Sequence, residues 1–218
     1  MAQNDCAGSL QVCRLRVARL NADGSPDQGP DNMYVTDTLI SLGATPQVVA
    51  GEDMSLVNGC GEPVVQHQDE DKITRLNLTM SLAKPDPDLV ALMTGATLIT
   101  DAGDSIGFQY PALNSSVMGP AVSIEAWSKA IVGGKVATDL PWWRWVYPFT
   151  EWRLADAPTL ENAPLALALT GRALENTEWG NGPANDWAYA SDRVLNVARD
   201  ETANVPDASC GAVAVPAS

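Results

Sequence analysis

The residues best suited to chemistry are few in this 218-residue chain, and their spacing builds no familiar catalytic set. His67 is the only histidine, so a multi-histidine metal centre cannot form. Its neighbours Gln66, Gln68, Asp69, Glu70 and Asp71 are polar, which reads as a solvated loop or strand end. Cys6, Cys13, Cys60 and Cys210 include no C-x-x-C pair, the usual zinc spacing. Free thiols are expected, with a bridge from Cys210 to Cys6 or Cys13 as the alternative in oxidising surroundings. The run Asp69-Glu70-Asp71 and the pair Asp101 and Asp104 could hold a hard cation. Neither fits the twelve-residue calcium loop, and short acidic runs are usually solvated turns. Both glycine-rich nucleotide cradles are missing, and no serine-hydrolase elbow is expected. The expectation is therefore no catalytic residue, no metal, no cofactor and no enzyme.

Charge narrows the partners. Thirteen basic residues stand against 27 acidic ones, for a net −14 and a pI near 4.2. Both halves of the chain carry the excess, so it is not a detachable acidic tail. Such a chain repels phosphate backbones, which argues against conventional nucleic-acid binding. No apolar run approaches the roughly 18 residues that would suggest a membrane span. Met1 to Gly8 has neither a basic start nor an apolar stretch, so no signal peptide is expected and the chain reads as soluble and made in a cytoplasm.

The elements that must position these residues follow a period of two. Leu76, Leu78, Met80 and Leu82 alternate with Asn77, Thr79 and Ser81, the pattern of a half-buried antiparallel strand. Leu165 to Thr170 alternates large with small residues, suiting a strand with one face closely approached. Leu15 and Val17 alternate with Arg14 and Arg16, and Val122, Ile124 and Ala126 with Ser123, Glu125 and Trp127. Met33 to Leu42 is rich in β-formers, and Gly133-Gly134 between apolar stretches predicts a hairpin turn. One helix is signalled over about 86–94, with Asp86 as cap, Pro87 in its first turn and Gly95 as its stop. Loops are expected at Asp23 to Asp31, Gly51 to Pro63 and Gly180 to Pro183. The chain reads as one all-β domain over 1–218, a sandwich or barrel, with a mobile C-terminal tail from about 200.

The loudest local feature is Pro141 to Trp152. Trp143, Trp145, Tyr147 and Phe149 share one parity, so a straight strand would carry a continuous aromatic face. That face would be a sugar-stacking platform, a protein interface, or a core strand. Arg144, Glu151 and Arg153 beside it could pair across a subunit boundary.

Four passages, in order, resemble the major tail tube proteins of long-tailed (siphovirus-type) bacteriophages, particularly those of actinobacteria. They are Arg14 to Leu20 followed by Tyr34-Val35-Thr36-Asp37; Asn58-Gly59-Cys60-Gly61 followed by Asp69 to Lys72 and the strand into Pro87-Asp88-Leu89; Ile124 to Ser128 followed by Gly133-Gly134-Lys135 and the Trp-rich strand; and Asn176 to Pro183. The resemblance covers about Leu10 to Trp187 and leaves Val194 to Ser218 unmatched. It implies a β-sandwich or barrel with one short helix outside it. It also implies six-membered rings of this chain stacking helically into a virion tail tube, assembled in the host cytoplasm. DNA would pass through without specific binding, other tail proteins would be partners, and no membrane would be involved. On that reading Asp37, Asp69 and Asp71 are candidate lumen acids, keeping DNA mobile. Asp53, Asn58, Cys60, Trp143, Trp145 and Trp152 are candidate subunit contacts, and the long loop from Gly51 reaches a neighbouring ring. The alternatives are a carbohydrate-binding β-sandwich module, using exposed Trp, and a capsid decoration protein, which would favour trimers.

Overall fold

Alternating apolar and polar residues produce strands throughout the computed structural model, which describes residues 7–84, 86–110, 118–155, 162, 166–187, 189, 192–209 and 211–216. The first half holds β1 (Gly8–Arg19), β2 (Gly29–Thr36), β3 (Leu39–Val49), β4 (Asp53–Val57), β5 (Pro63–Gln68) and β6 (Lys72–Leu82). Helix α1 (Pro87–Thr94) follows, then β7 (Thr97–Asp101) and β8 (Asp104–Gln109). The rest comprises β9 (Ala121–Val132), β10 (Lys135–Val136), β11 (Trp142–Leu154), β12 (Leu167–Leu174), β13 (Asn196–Asp200), a short 3-10 turn and β14 (Val213–Val215).

Ten strands form one antiparallel sheet in the order β14–β2–β1–β9–β11–β12–β6–β3, with β10 added to β9 and β13 to β11. The sheet curls until β3, at its far end, packs against β1. The inner faces meet in one core, containing Leu15, Val17, Leu78, Met80, Ile124, Tyr147 and Trp152 among others. The protein is all-β with a single α-helix among the described residues.

The helix forms where its signals stand. Asp86 Oδ1 accepts from the amides of Asp88 and Leu89, and Gly95 ends the helix at φ 69°. Tyr34 on β2 donates its hydroxyl to Asp86 Oδ2 at 2.6 Å, which ties the cap to the sheet. Burial, together with that carboxylate, pushes the Tyr34 hydroxyl well above its ordinary pKa. Leu89, Val90 and Met93 are fully buried in the same core as Leu15 and Ile124, so the helix packs its apolar face into that core.

Two expectations are corrected, the single aromatic face and the loop from Gly51. The aromatic residues of β11 do not keep one face, because its register against β9 shifts between Tyr147 and Thr150. Pro148, which has no amide to offer a ladder, sits in this irregularity. Asn176 Nδ2 donates to the Pro148 carbonyl at 3.0 Å and to that of Gly24 at 2.8 Å. Tyr147 therefore points into the main core while Phe149 packs on a second cluster with Val146, Trp179 and Trp187. The stretch after 200 is docked where it is described: β14 pairs with β2, and Val215 is buried. The segment from Gly51 to Pro63 is one limb of a β-hairpin, with β4 paired to β5. Cys13 and Cys60 are free thiols, while Cys6 and Cys210 lie outside the described residues.

Close approach on the small-residue strand is real. A Cβ at Gly171 on β12 would lie 2.6 Å from the Glu151 carbonyl and 2.7 Å from the Trp152 ring, which stands opposite it on β11. Trp152 Nε1 donates to Thr150 Oγ1 at 2.8 Å, and that hydroxyl donates to the Val122 carbonyl, so the indole has no freedom to retreat. Gly171→Ala should cost about 1–3 kcal/mol of stability through this overpacking. The urea midpoint measures it, and an unchanged midpoint would contradict the packing.

Candidate functional site

The side of the sheet facing away from the main core carries charge, and the chain covers it. Arg16 on β1 stands opposite Glu125 on β9, and Arg144 on β11 stands opposite Trp127 on β9. Residues from the segment after β12 close over this face, where Trp179 and Trp187 pack with Leu20 and Val146. Arg16, Glu125, Trp127 and Arg144 are all buried as a result.

The charges are arranged around shared atoms. Glu125 Oε2 accepts from Nη2 of both Arg16 and Arg144, the latter at 2.7 Å. Asp186, on the covering segment, accepts at Oδ1 from the same two nitrogens, at 3.1 and 2.7 Å. Asp200 Oδ2 accepts from Trp127 Nε1 at 3.1 Å and lies 3.6 Å from Arg144 Nη1. The Arg144 guanidinium sits between two indoles, 5.2 Å from the Trp127 centroid and 4.9 Å from that of Trp187. Burial works to raise the Asp186 pKa, but Arg16 and Arg144 outweigh it and hold the carboxyl below its ordinary value. Burial likewise opposes the Arg144 charge, and Glu125 and Asp186 more than restore it. With Arg16, Glu125 and Arg144 side chains only 1–4% exposed, these groups meet no substrate. They lock the covering segment to three strands.

Expected contact residues are scattered by the fold. Asp53, Asn58 and Cys60 lie on the β4–β5 hairpin, in which every strand residue is exposed. Asn58 shapes its tip: its Oδ1 accepts from the amides of Cys60 and Glu62, both at 2.9 Å. Met54, Leu56, Val57, Val64 and Val65 on this hairpin, and Val48, Val49 and Ile73 at its root, are each more than half exposed. Trp143 and Trp145 are half-buried; Trp143 lies under the Arg199 guanidinium, and Trp145 Nε1 donates to Ser128 Oγ. Trp152 is fully buried in the core and cannot touch a neighbour. Arg144 and Glu151 are likewise engaged within the chain, the latter with Arg172; Arg153 alone of that trio is free among the described residues.

The three expected lumen acids are exposed but do not form one cluster. Asp69 pairs with His67 Nε2 at 3.1 Å, and Asp71 Oδ1 accepts from the Gly51 amide at 3.0 Å, both at the hairpin root. Asp37 lies at the opposite end of β3, 3.9 Å from Arg14. Eleven strand residues separate the two places, on the order of 35 Å at about 3.3 Å per residue.

One spacing departs from expectation. Gly103-Asp104-Ser105-Ile106-Gly107 does match G-x-S-x-G. Here it spans the turn and first residues of the β7–β8 hairpin and not a strand-to-helix elbow, so it lacks the context that exposes a nucleophilic serine. Among the described residues no group of three or more His, Cys, Asp or Glu could hold a metal ion, and no helix is long and apolar enough to cross a membrane. No family model matches the chain, and no curated protein does.

The buried network escaped the sequence reading because alternation assigns Arg16 and Glu125 to the solvent side. Its signal was Trp127, which shares the parity of Glu125: a tryptophan among the polar positions implies a covered face. Two variants test it. Glu125→Gln leaves two buried guanidiniums without their common counter-charge and should cost about 3–5 kcal/mol. Asp186→Asn tests the pH linkage. Because the folded pKa of Asp186 is depressed, its stabilisation is present above the ordinary value of 3.8 and lost as pH falls through the lower folded value. The gap in urea midpoint between wild type and Asp186→Asn should be full at pH 7 and close on acidification. A gap independent of pH would show that Asp186 acts through packing alone.

Proposed function

We propose that the chain is a structural virion subunit that closes into rings, six-membered by the family resemblance, which stack into the tail tube of a long-tailed bacteriophage. The observation that carries this is the β4–β5 hairpin. A run of exposed apolar side chains on a two-stranded element with free edges is what a chain partner covers, and left bare it invites aggregation. An isolated hairpin of this kind is marginal in water, so a neighbouring copy would also give it the packing it lacks. The acidic surface suits a conduit, since phosphate affinity comes from Lys and Arg contacts that a net charge of −14 works against. Asp69 and Asp71, fixed at the hairpin root, are the acids best placed to face DNA next to a ring contact; Asp37 is a separate site. DNA slides past, and other tail proteins meet the tube at its ends.

The carbohydrate-binding alternative depended on exposed tryptophan, and none of the seven is exposed. Negative-stain imaging of the purified chain tests the proposal against a decoration protein as well, since that would give trimers. Wild type should form rings or tubes. A variant with 53–68 replaced by a short Gly-Ser link should stay folded and form no tubes. Long tubes from that variant, or a wild type that never assembles, would contradict the reading.

A further inference from the structure

Within the described residues a cluster of arginines carries more charge than its partners offset, and a facing pair of carboxylates has no partner in its own chain. On the outward side of β6, β11 and β12 a shallow cleft of about 340 Å3 is lined by Arg75, Arg153, Arg172, Asn77, Thr79 and Thr170. Arg75 Nε donates to Gln47 Oε1 at 2.6 Å, and Arg172 is paired with Glu151. Arg153 has no hydrogen bond or ion pair, and the Thr170 hydroxyl is shielded from water with no partner. Three guanidiniums against one carboxylate leave two positive charges uncompensated in a strongly acidic chain.

The complementary feature is the tip of the β7–β8 hairpin. Asp101 and Asp104 face each other across Ala102 and Gly103, whose φ values of 50° and 98° define a two-residue type I′ turn. All four residues are exposed, and neither carboxylate has a partner among the described residues. Like charges placed directly opposite destabilise a hairpin unless a cation offsets them. The other acidic turn is already engaged, through His67 with Asp69 and the Gly51 amide with Asp71.

We propose that the Asp101–Asp104 turn of one copy seats in the Arg75–Arg153–Arg172 cleft of a second copy. Two carboxylates then meet the two uncompensated guanidiniums, the pairing that planar Arg makes best. Turn and cleft are different surfaces, so the contact made in one direction is heterologous and runs from copy to copy, closing a ring where its rotation allows. It rests on the self-assembly reading but uses neither face of the β4–β5 hairpin.

Sedimentation velocity on the full chain at low salt tests it by charge exchange. Arg153→Glu and Asp104→Arg should each weaken association at least tenfold, and the two together should restore it, while Arg153→Lys retains it. Circular dichroism checks that each variant is folded. Single variants that associate like wild type, or a double variant that does not recover, would overturn this contact while leaving assembly through the hairpin standing. Wild type that stays monomeric at every concentration would overturn both. Arg153→Glu that abolishes binding of inorganic phosphate yet leaves association unchanged would make the cleft a small-anion site and overturn the contact.

Discussion

Glu125 is the residue on which the rest of the structure depends. A carboxylate removed from water is costly unless cations and donors surround it, and here Arg16 and Arg144 come from the strands on either side. Glu125 is the one acid buried fully between the two arginines, and with Asp186 and Asp200 it keeps the group from carrying excess positive charge. The network thus fixes the relative positions of β1, β9 and β11 at one row of residues. It reaches the covering segment through Asp186 and β13 through Asp200. Trp127 and Trp187 fill the space around the guanidiniums and keep water away from them. Around this row of β1, β9 and β11, a sheet that would ordinarily be wet on this face is dry on both.

Drying both faces has a consequence for the remaining surface. Half of the exposed large apolar side chains among the described residues lie on the β4–β5 hairpin and its root, outside the network around Glu125. The rigid and the exposed parts of the chain are therefore distinct. Asn58 pre-forms the hairpin tip with two amide contacts, so the tip loses little freedom on meeting a partner. On the proposed reading, the hairpin would reach a neighbouring ring, and the cleft and acidic turn would make a second, polar contact in a different direction.

Much of the fold was legible in the residues. Leu78, Met80 and Leu82 alternate because one side of β6 meets the core, and Asp86, Pro87 and Gly95 mark the helix because its ends need those conformations. What period two could not show was where the period slips. The irregularity at Pro148 reverses the parity of β11, so Trp152 enters the core that Tyr147 already occupies while Phe149 leaves it. Burial of Arg16 and Glu125 was also hidden, because a covering segment more than fifty residues away in sequence decides it. The hairpin at 53–68 carries a weak strand signal in sequence because Asn58 to Gly61 is dominated by turn residues and its flanking strands are short. The expected contacts that lie on that hairpin are exposed and available; Trp152, chosen by residue type, is not.

Hydrogen–deuterium exchange, followed as the purified chain is concentrated, addresses the central claim most directly. The amides of 53–68 are exposed with open strand edges and should exchange quickly in the dilute chain. If this hairpin joins one ring to the next, its protection should rise together with the appearance of assembled particles, while the lock around Glu125 stays protected throughout. Particles that form with the hairpin still exchanging at its dilute rate would contradict the account.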